Sequence, residues 1–300
     1  MAKKNAYRIK NGPDIGNIVF RVVLYVWALV ILFPLFWMVY TSVKVKGEFI
    51  ADRFKLPKDI WLANYQTAIQ DSTADTSLLR FFGNTFLIVV ISLVLMLVMA
   101  SVTAYVLGKY RFFGKKLFEN FYFAAMLVPS VLVLVPLYFQ LRQLSTDLYG
   151  SAFTLTDNIF TISVIYAVQA IPAYVFLLVG FVRKINDSFI EAALMDGAGE
   201  FKIFTKLVLP QLKPMLVFIA LGHIMNVWNE YTTALTFLRS EKNYTISVAL
   251  QRIQNAFTYE QNYGALFACL VLSMLPILIL YLLFQKQILS GTDAGEGVKG

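Results

Sequence analysis

One cysteine, one histidine and 18 acids are all that 300 residues supply of the side chains most enzymes use for bond chemistry. A single thiol, Cys269, cannot form a disulfide framework or a thiolate metal centre, and its place inside an apolar run predicts a packed, inert thiol. His223 has no intramembrane carboxylate near it in sequence, so it reads as a packing or helix–helix hydrogen-bonding residue rather than a proton relay. The apolar runs hold almost no acids, and Glu230 lies toward one end of its run. No convergent set of nucleophile, base and metal ligands is visible, which argues against a membrane enzyme, and no metal site is expected. Charged residues make up only 15% of the chain.

Apolar residues are abundant instead. The chain is 58% hydrophobic with a mean hydropathy of +0.66, outside ordinary soluble usage. Crossing the hydrocarbon takes about twenty mostly apolar residues, and six stretches qualify, at 18–40, 85–107, 119–140, 159–182, 215–238 and 264–284. The third is interrupted by Pro129 and Pro136 and the sixth by Pro276. Arg21, one turn inside the first stretch, can reach the headgroups. The first stretch is too long for a signal-peptide core and lacks a small-residue cleavage site, so it reads as a retained span. The organisation predicted is a tail at 1–17, a six-span domain at 18–284 and a tail at 285–300.

The net charge of +8 has a membrane explanation. Lys109, Arg111, Lys115 and Lys116 crowd one short loop. Arg183, Lys184, Lys202, Lys206 and Lys213 crowd another, and Lys3, Lys4, Arg8 and Lys10 precede the first span. The longer loop after span one balances its bases with Glu48, Asp52, Asp59, Asp71 and Asp75. Basic density in short loops predicts both termini in the cytoplasm, and the segments after spans one and five outside. It does not suggest a nucleic-acid partner.

Residues 183–214 form a cap-rich segment between two apolar runs. Phe189, Ile190, Ala193 and Leu194 have the spacing of a short amphipathic helix. Ser188 with Glu191 is a capping-box signature, with Asp187 as rival cap, and Gly197 falls where a left-handed C-cap belongs. A second short helix, about 199–208, leads to Leu209-Pro210, where Pro210 is expected to stop it before span five. A helical corner of this kind needs a cover for its apolar side. Gly108, Gly114 and Lys115 superficially resemble a phosphate loop, but the spacing is wrong and Lys116 stands where Ser or Thr is required.

Polar residues inside spans usually face the bundle interior. In span five, Gly222, Asn226, Asn229 and Thr233 recur at helical spacing on one face. Neutral amides suit a path for an uncharged polar solute and also serve as interhelical glue, the glue reading being slightly favoured. Gln169 and Tyr174 in span four are weaker candidates. Tyr231 and Trp228 fit either stacking on a solute ring or an interfacial aromatic belt, the belt being favoured.

The pattern Glu191-Ala192-Ala193, then Gly197, then Leu207-Val208-Leu209-Pro210 resembles the cytoplasmic EAA loop of ABC-importer permeases. Leu207 departs mildly from the isoleucine usual there. Ala104-Tyr105, Met126-Leu127-Val128-Pro129 with Pro136-Leu137-Tyr138, Trp228-Asn229-Glu230-Tyr231, and the tail Phe284–Gln287 through Gly297–Gly300 resemble the carbohydrate branch, most closely the smaller permease subunit of maltose-type importers. The resemblance implies an all-α integral membrane fold, the type I importer core, in a bacterial or archaeal cytoplasmic membrane. It implies that Glu191, Ala192, Ala193, Asp196, Gly197, Leu207 and Pro210 dock an ATPase subunit, and that Asn226, Asn229, Tyr231, Gly222 and Gln169 are candidates for the sugar path. It implies four partner chains besides the lipid, namely a second permease (as a heterodimer), two ATPases and an extracytoplasmic sugar-binding protein. The segment 239–263 would be an outer loop able to enter that protein's cleft. This chain would bind no cofactor, ATP and Mg belonging to the ATPase. An ion-coupled carrier or a passive channel is the rival reading. It is disfavoured by the scarcity of intramembrane acids and the lack of an internal repeat.

Overall fold

The computed structural model describes residues 15–70, 77–149 and 154–296. The bases of the N-terminal tail, Asp71 and Asp75, and Gly297–Gly300 lie outside these residues. Every regular element among those described is helical, in the order α1 (Ile15–Thr41), α2 (Glu48–Ala51), α3 (Ala63–Gln70), α4 (Leu78–Lys109), α5 (Lys115–Leu127), α6 (Ser130–Tyr149), α7 (Ile159–Val182), α8 (Asp187–Met195), α9 (Glu200–Ile203), a π-helical stretch (Phe204–Val208), α10 (Leu209–Asn229), α11 (Thr232–Phe237), a 3₁₀ turn (Glu241–Asn243), α12 (Ile246–Tyr259) and α13 (Tyr263–Glu296).

Five helical stretches are long and apolar enough to cross a membrane, or six if the bent pair α5–α6 counts as one. The third apolar run is therefore not a continuous kinked helix. Its halves meet at 97°, with Val128 extended between them (φ −81°, ψ 116°). Pro129 causes the break, because proline disfavours helical backbone at the residue before it. Pro136 sits within α6 without breaking it. Span four matches its expected limits, and α13 continues beyond the apolar run at 264–284.

Span five differs most from expectation. Pro210 does not end a helix. The chain runs helically from Glu200 to Asn229, passing through a π turn in which the Leu209 amide reaches the carbonyl of Phe204. The extra residue in that turn absorbs the missing N–H and the ring clash that proline brings to a helix. At the other end the helix stops at Asn229, so the predicted run to 238 is divided by Glu230 and Tyr231. The segment 239–263 is also not an open loop. Most of it is α12, which buries Ile246, Val248, Ala249, Ile253 and Phe257 and exposes Gln251, Arg252, Gln254 and Asn255.

The long partners α4 and α7 pack along each other, and two buried clusters are stacked beside them. One gathers Phe81, Ile88, Ile162, Phe237, Ile253 and Cys269. The other gathers Met96, Ala100, Leu178, Val182, Ile203 and Ile219. Between the two, the buried His223 and Ser92 share a hydrogen bond of 2.9 Å, the helix–helix role its sequence context suggested. Close approach of α4 and α7 depends on Gly108, where a Cβ would run into the Val182 side chain. By contrast, α1 buries none of its apolar window within the chain. Among the described residues it is attached near its end, where Trp37 packs edge-on to Phe267 at 5.0 Å.

Candidate functional site

The segment 183–208 folds as a helical corner at the end of the bundle where α4 finishes. Three consecutive residues there can cap a helix, and the structure uses the first. Asn186 accepts from the Ser188 amide at 3.0 Å, whereas Asp187 pairs with Lys109 Nζ at 2.6 Å, so neither Ser188 nor Asp187 is the cap. The other end of α8 closes as anticipated. Gly197 adopts φ +73°, and the amides of Gly197 and Ala198 reach the carbonyls of Leu194 and Ala193, each at 3.0 Å. This paired closure requires a left-handed residue, which glycine supplies without strain.

Ile190 and Ala193 turn inward onto the second cluster. Phe189, Leu194, Met195 and Phe201 turn outward, the last two 88% and 81% exposed. Glu191, Ala192 and Asp196 are exposed beside them. The corner thus exposes both acids and apolar side chains. Leu207 and Pro210 are placed differently. Leu207 lies half-buried within the π turn and Pro210 just beyond it, so both shape the approach to α10 rather than the exposed corner.

The corner is held by residues that the sequence motif did not single out. Lys109, the last residue of α4, donates to the Ile185 carbonyl as well as to Asp187. Tyr105 donates to Glu200 Oε2 at 3.1 Å, and Tyr110 donates to the same oxygen. Burial first, then the hydrogen bond to Glu200, hold the Tyr110 phenol far above its ordinary pKa, so it remains a donor. Arg183 pairs with Glu119 of α5 at 2.5 Å. The dense bases of this end therefore include several with structural partners.

The polar candidates of the spans do not converge on one chamber. Asn226, Gln169, Tyr174 and His223 line a cavity of about 470 Å³ at the α5–α6 break. Gly222 lies beside it, next to the Tyr174 hydroxyl. Asn229 lines a separate cleft of about 250 Å³ with Ser247 and Ser273, and its amide bonds the Met225 carbonyl of its own helix at 2.8 Å, so it is not interhelical glue here. Thr233 is past the helix break and buried. Tyr231 is half-buried against the first cluster. Trp228 lines the same cleft as Asn229. It is 8% exposed, packs on Phe82 at 5.8 Å and donates to the Ser273 carbonyl.

At the far end, Glu230 is fully engaged. It accepts from Tyr166 at 2.6 Å and caps α11 through the amides of Thr233 and Ala234. Asp157, in left-handed backbone at φ 59°, accepts from the amides of Arg239 and Ser240 and from the Ser240 hydroxyl. Burial works to raise its pKa, but these hydrogen bonds outweigh it and hold the carboxyl below its ordinary value. Among the described residues no group of three or more potential ligands is placed to hold a metal.

Residues 100–292 match the family described as the binding-protein-dependent transport system inner membrane component. The chain is 28% identical to the diacetylchitobiose uptake system permease NgcG of Streptomyces coelicolor, over 92% of this chain and 87% of that one. It is 32% identical to the melibiose/raffinose/stachyose import permease MelC of Bacillus subtilis, over 89% and 91%. A bacterial ABC transporter that imports alginate contains a chain of the same fold, with a TM-score of 0.76 and 27% identity over 91% of this chain and 96% of that one. With its apolar helices, its corner at 186–200 and this match over most of its length, the chain belongs to the binding-protein-dependent transport system inner membrane components, among permeases of sugar ABC transporters.

Proposed function

We propose that this chain is one transmembrane permease subunit of an ATP-driven, binding-protein-dependent importer of oligosaccharides, forming half of the translocation path and docking an ATPase through the corner at 186–200. The observation that carries this reading is the exposed α8 surface. A helix capped at both ends and braced from behind has Phe189, Leu194, Met195 and Glu191 exposed while Ile190 and Ala193 pack onto the bundle. Such a surface suits a groove in a separate subunit, with Glu191 meeting a basic group and Ala192 allowing close approach. Gly197 supplies the bend.

The count of six spans is supported by connectivity. Chain direction places Lys109 and Glu200 at one end of the bundle and Asp157 with Arg239 at the other. The bent pair α5–α6 leads from the first end toward the second, so it serves as one broken span. Both termini then share the side of α8, which the basic loops assign to the cytoplasm. The exposed α1 is the natural contribution to a second permease subunit. The cavity lined by Asn226, Gln169 and Tyr174 offers neutral donors and acceptors for sugar hydroxyls. The substrate class follows from relatives named for oligosaccharides and from the alginate importer.

The test uses the assembled complex in vesicles. Glu191→Lys and Gly197→Asp are expected to leave the permease in the membrane while lowering binding-protein-stimulated ATP hydrolysis and uptake by tenfold or more, a loss of about 1.4 kcal/mol or greater. Unchanged stimulation in both variants would overturn the docking role.

A further inference from the structure

The last turn of α4 touches the segment 186–200 at both of its ends. At its beginning, Lys109, with a side chain only 8% exposed, holds the Ile185 carbonyl and Asp187. At its conclusion, Tyr105 and Tyr110 converge on a single oxygen of Glu200. The two hydroxyls also lie 3.2 Å apart and the rings pack edge-on at 5.4 Å, while Tyr105 rests on Phe204 of the π turn at 5.3 Å. Tyr105 is buried, so its hydroxyl is committed to this geometry. Between the two anchor points α8 has its free surface.

We propose that Lys109, Tyr105 and Tyr110 form a clamp that fastens both ends of the 186–200 corner to α4, so that a displacement of α8 is delivered to α4 instead of being absorbed by the loop. The proposal rests on α8 being the docking surface and assigns these residues a positioning role. It fits what α4 does elsewhere. The helix has 32 residues and spans about 48 Å at 1.5 Å each. Midway it holds His223 through Ser92. Near its far end Asn84 donates to the carbonyls of Lys242 and Tyr244, and Thr85 accepts from the Ile246 amide. A push at the clamp thus has a stiff element to act on, tied to the opposite face. Without the clamp, the glycines at 197 and 199 would let the corner pivot.

The experiment measures sugar taken up per ATP hydrolysed by the whole complex in vesicles, beside a measure of assembly. Substituting Tyr105→Phe together with Tyr110→Phe removes both donors and keeps the rings. Glu200→Ala removes the acceptor, while Glu200→Gln keeps one. The double tyrosine variant and Glu200→Ala are expected to assemble and hydrolyse ATP with a yield reduced by about threefold to thirtyfold; Glu200→Gln should stay close to the parent. An unchanged yield in the double variant, or uptake and hydrolysis falling together at constant yield, overturns the clamp. If the double variant does not assemble, Tyr110→Phe alone decides, a reduced yield supporting the clamp and a parental yield overturning it. Glu191→Lys separates the two ideas. If it leaves coupling intact, the docking reading fails; if it breaks coupling while the tyrosine variants do not, only the clamp fails.

Discussion

Gly264 stands where two strands of backbone and an amide meet. A Cβ there would collide with the Asn64 side chain and the Lys44 carbonyl, and Asn64 is bonded to the Ser42 and Lys44 carbonyls at 2.9 and 2.8 Å. Lys44 itself is buried, its ammonium donating to the carbonyls of Asp52 and Arg53 and lying over the rings of Tyr40 and Phe49. Gly264→Ala is expected to destabilise the purified protein by about 1–3 kcal/mol, as overpacking does, and to lower its melting temperature in detergent. A melting temperature equal to the parent's would mean that the junction yields freely. Neither Gly264 nor Lys44 was legible in the sequence, because a glycine needed for close approach and a lysine closed in by carbonyls look like any others. Gly197 was legible because its requirement is local, set by the helix that it ends.

At the scale of elements, joints decided what the sequence revealed. The amphipathic spacing of α8 with its stop at Gly197 and the whole of α7 were readable, since periodicity and a C-terminal glycine lie within a few residues, whereas the N-cap of α8 fell on Asn186 rather than on Ser188 or Asp187. The π turn before Pro210, the break after Asn229 and the burial of Trp228 depend on contacts with distant elements, and they were not. The joint between the start of α7 and the turn after α11 is of the second kind. Asp157 holds it with its carboxylate, and its lowered pKa fixes the sign of the pH dependence. The stabilisation is present above the ordinary carboxylate range and is lost as pH falls through the folded-state pKa. Asp157→Asn is therefore expected to melt below the parent at neutral pH, the gap narrowing as both are acidified below pH of about 4. A gap independent of pH would show that the charge contributes nothing to the joint.

For the whole molecule, composition and the six apolar runs announce a membrane bundle, and the family match agrees. The sequence could not reveal that the polar residues of α10 divide between two cavities, because helical spacing places residues on a face without saying what each part of that face meets. The engaged Glu230 and the exposed corner at 186–200 both favour a path driven from outside the chain over one coupled to an ion. The decisive measurement is uptake of a labelled oligosaccharide by vesicles. Vesicles carrying this chain with its partner permease and ATPases are expected to accumulate sugar only with ATP on the α8 side and binding protein on the other. Accumulation by the chain alone, without nucleotide or companions, would contradict the account.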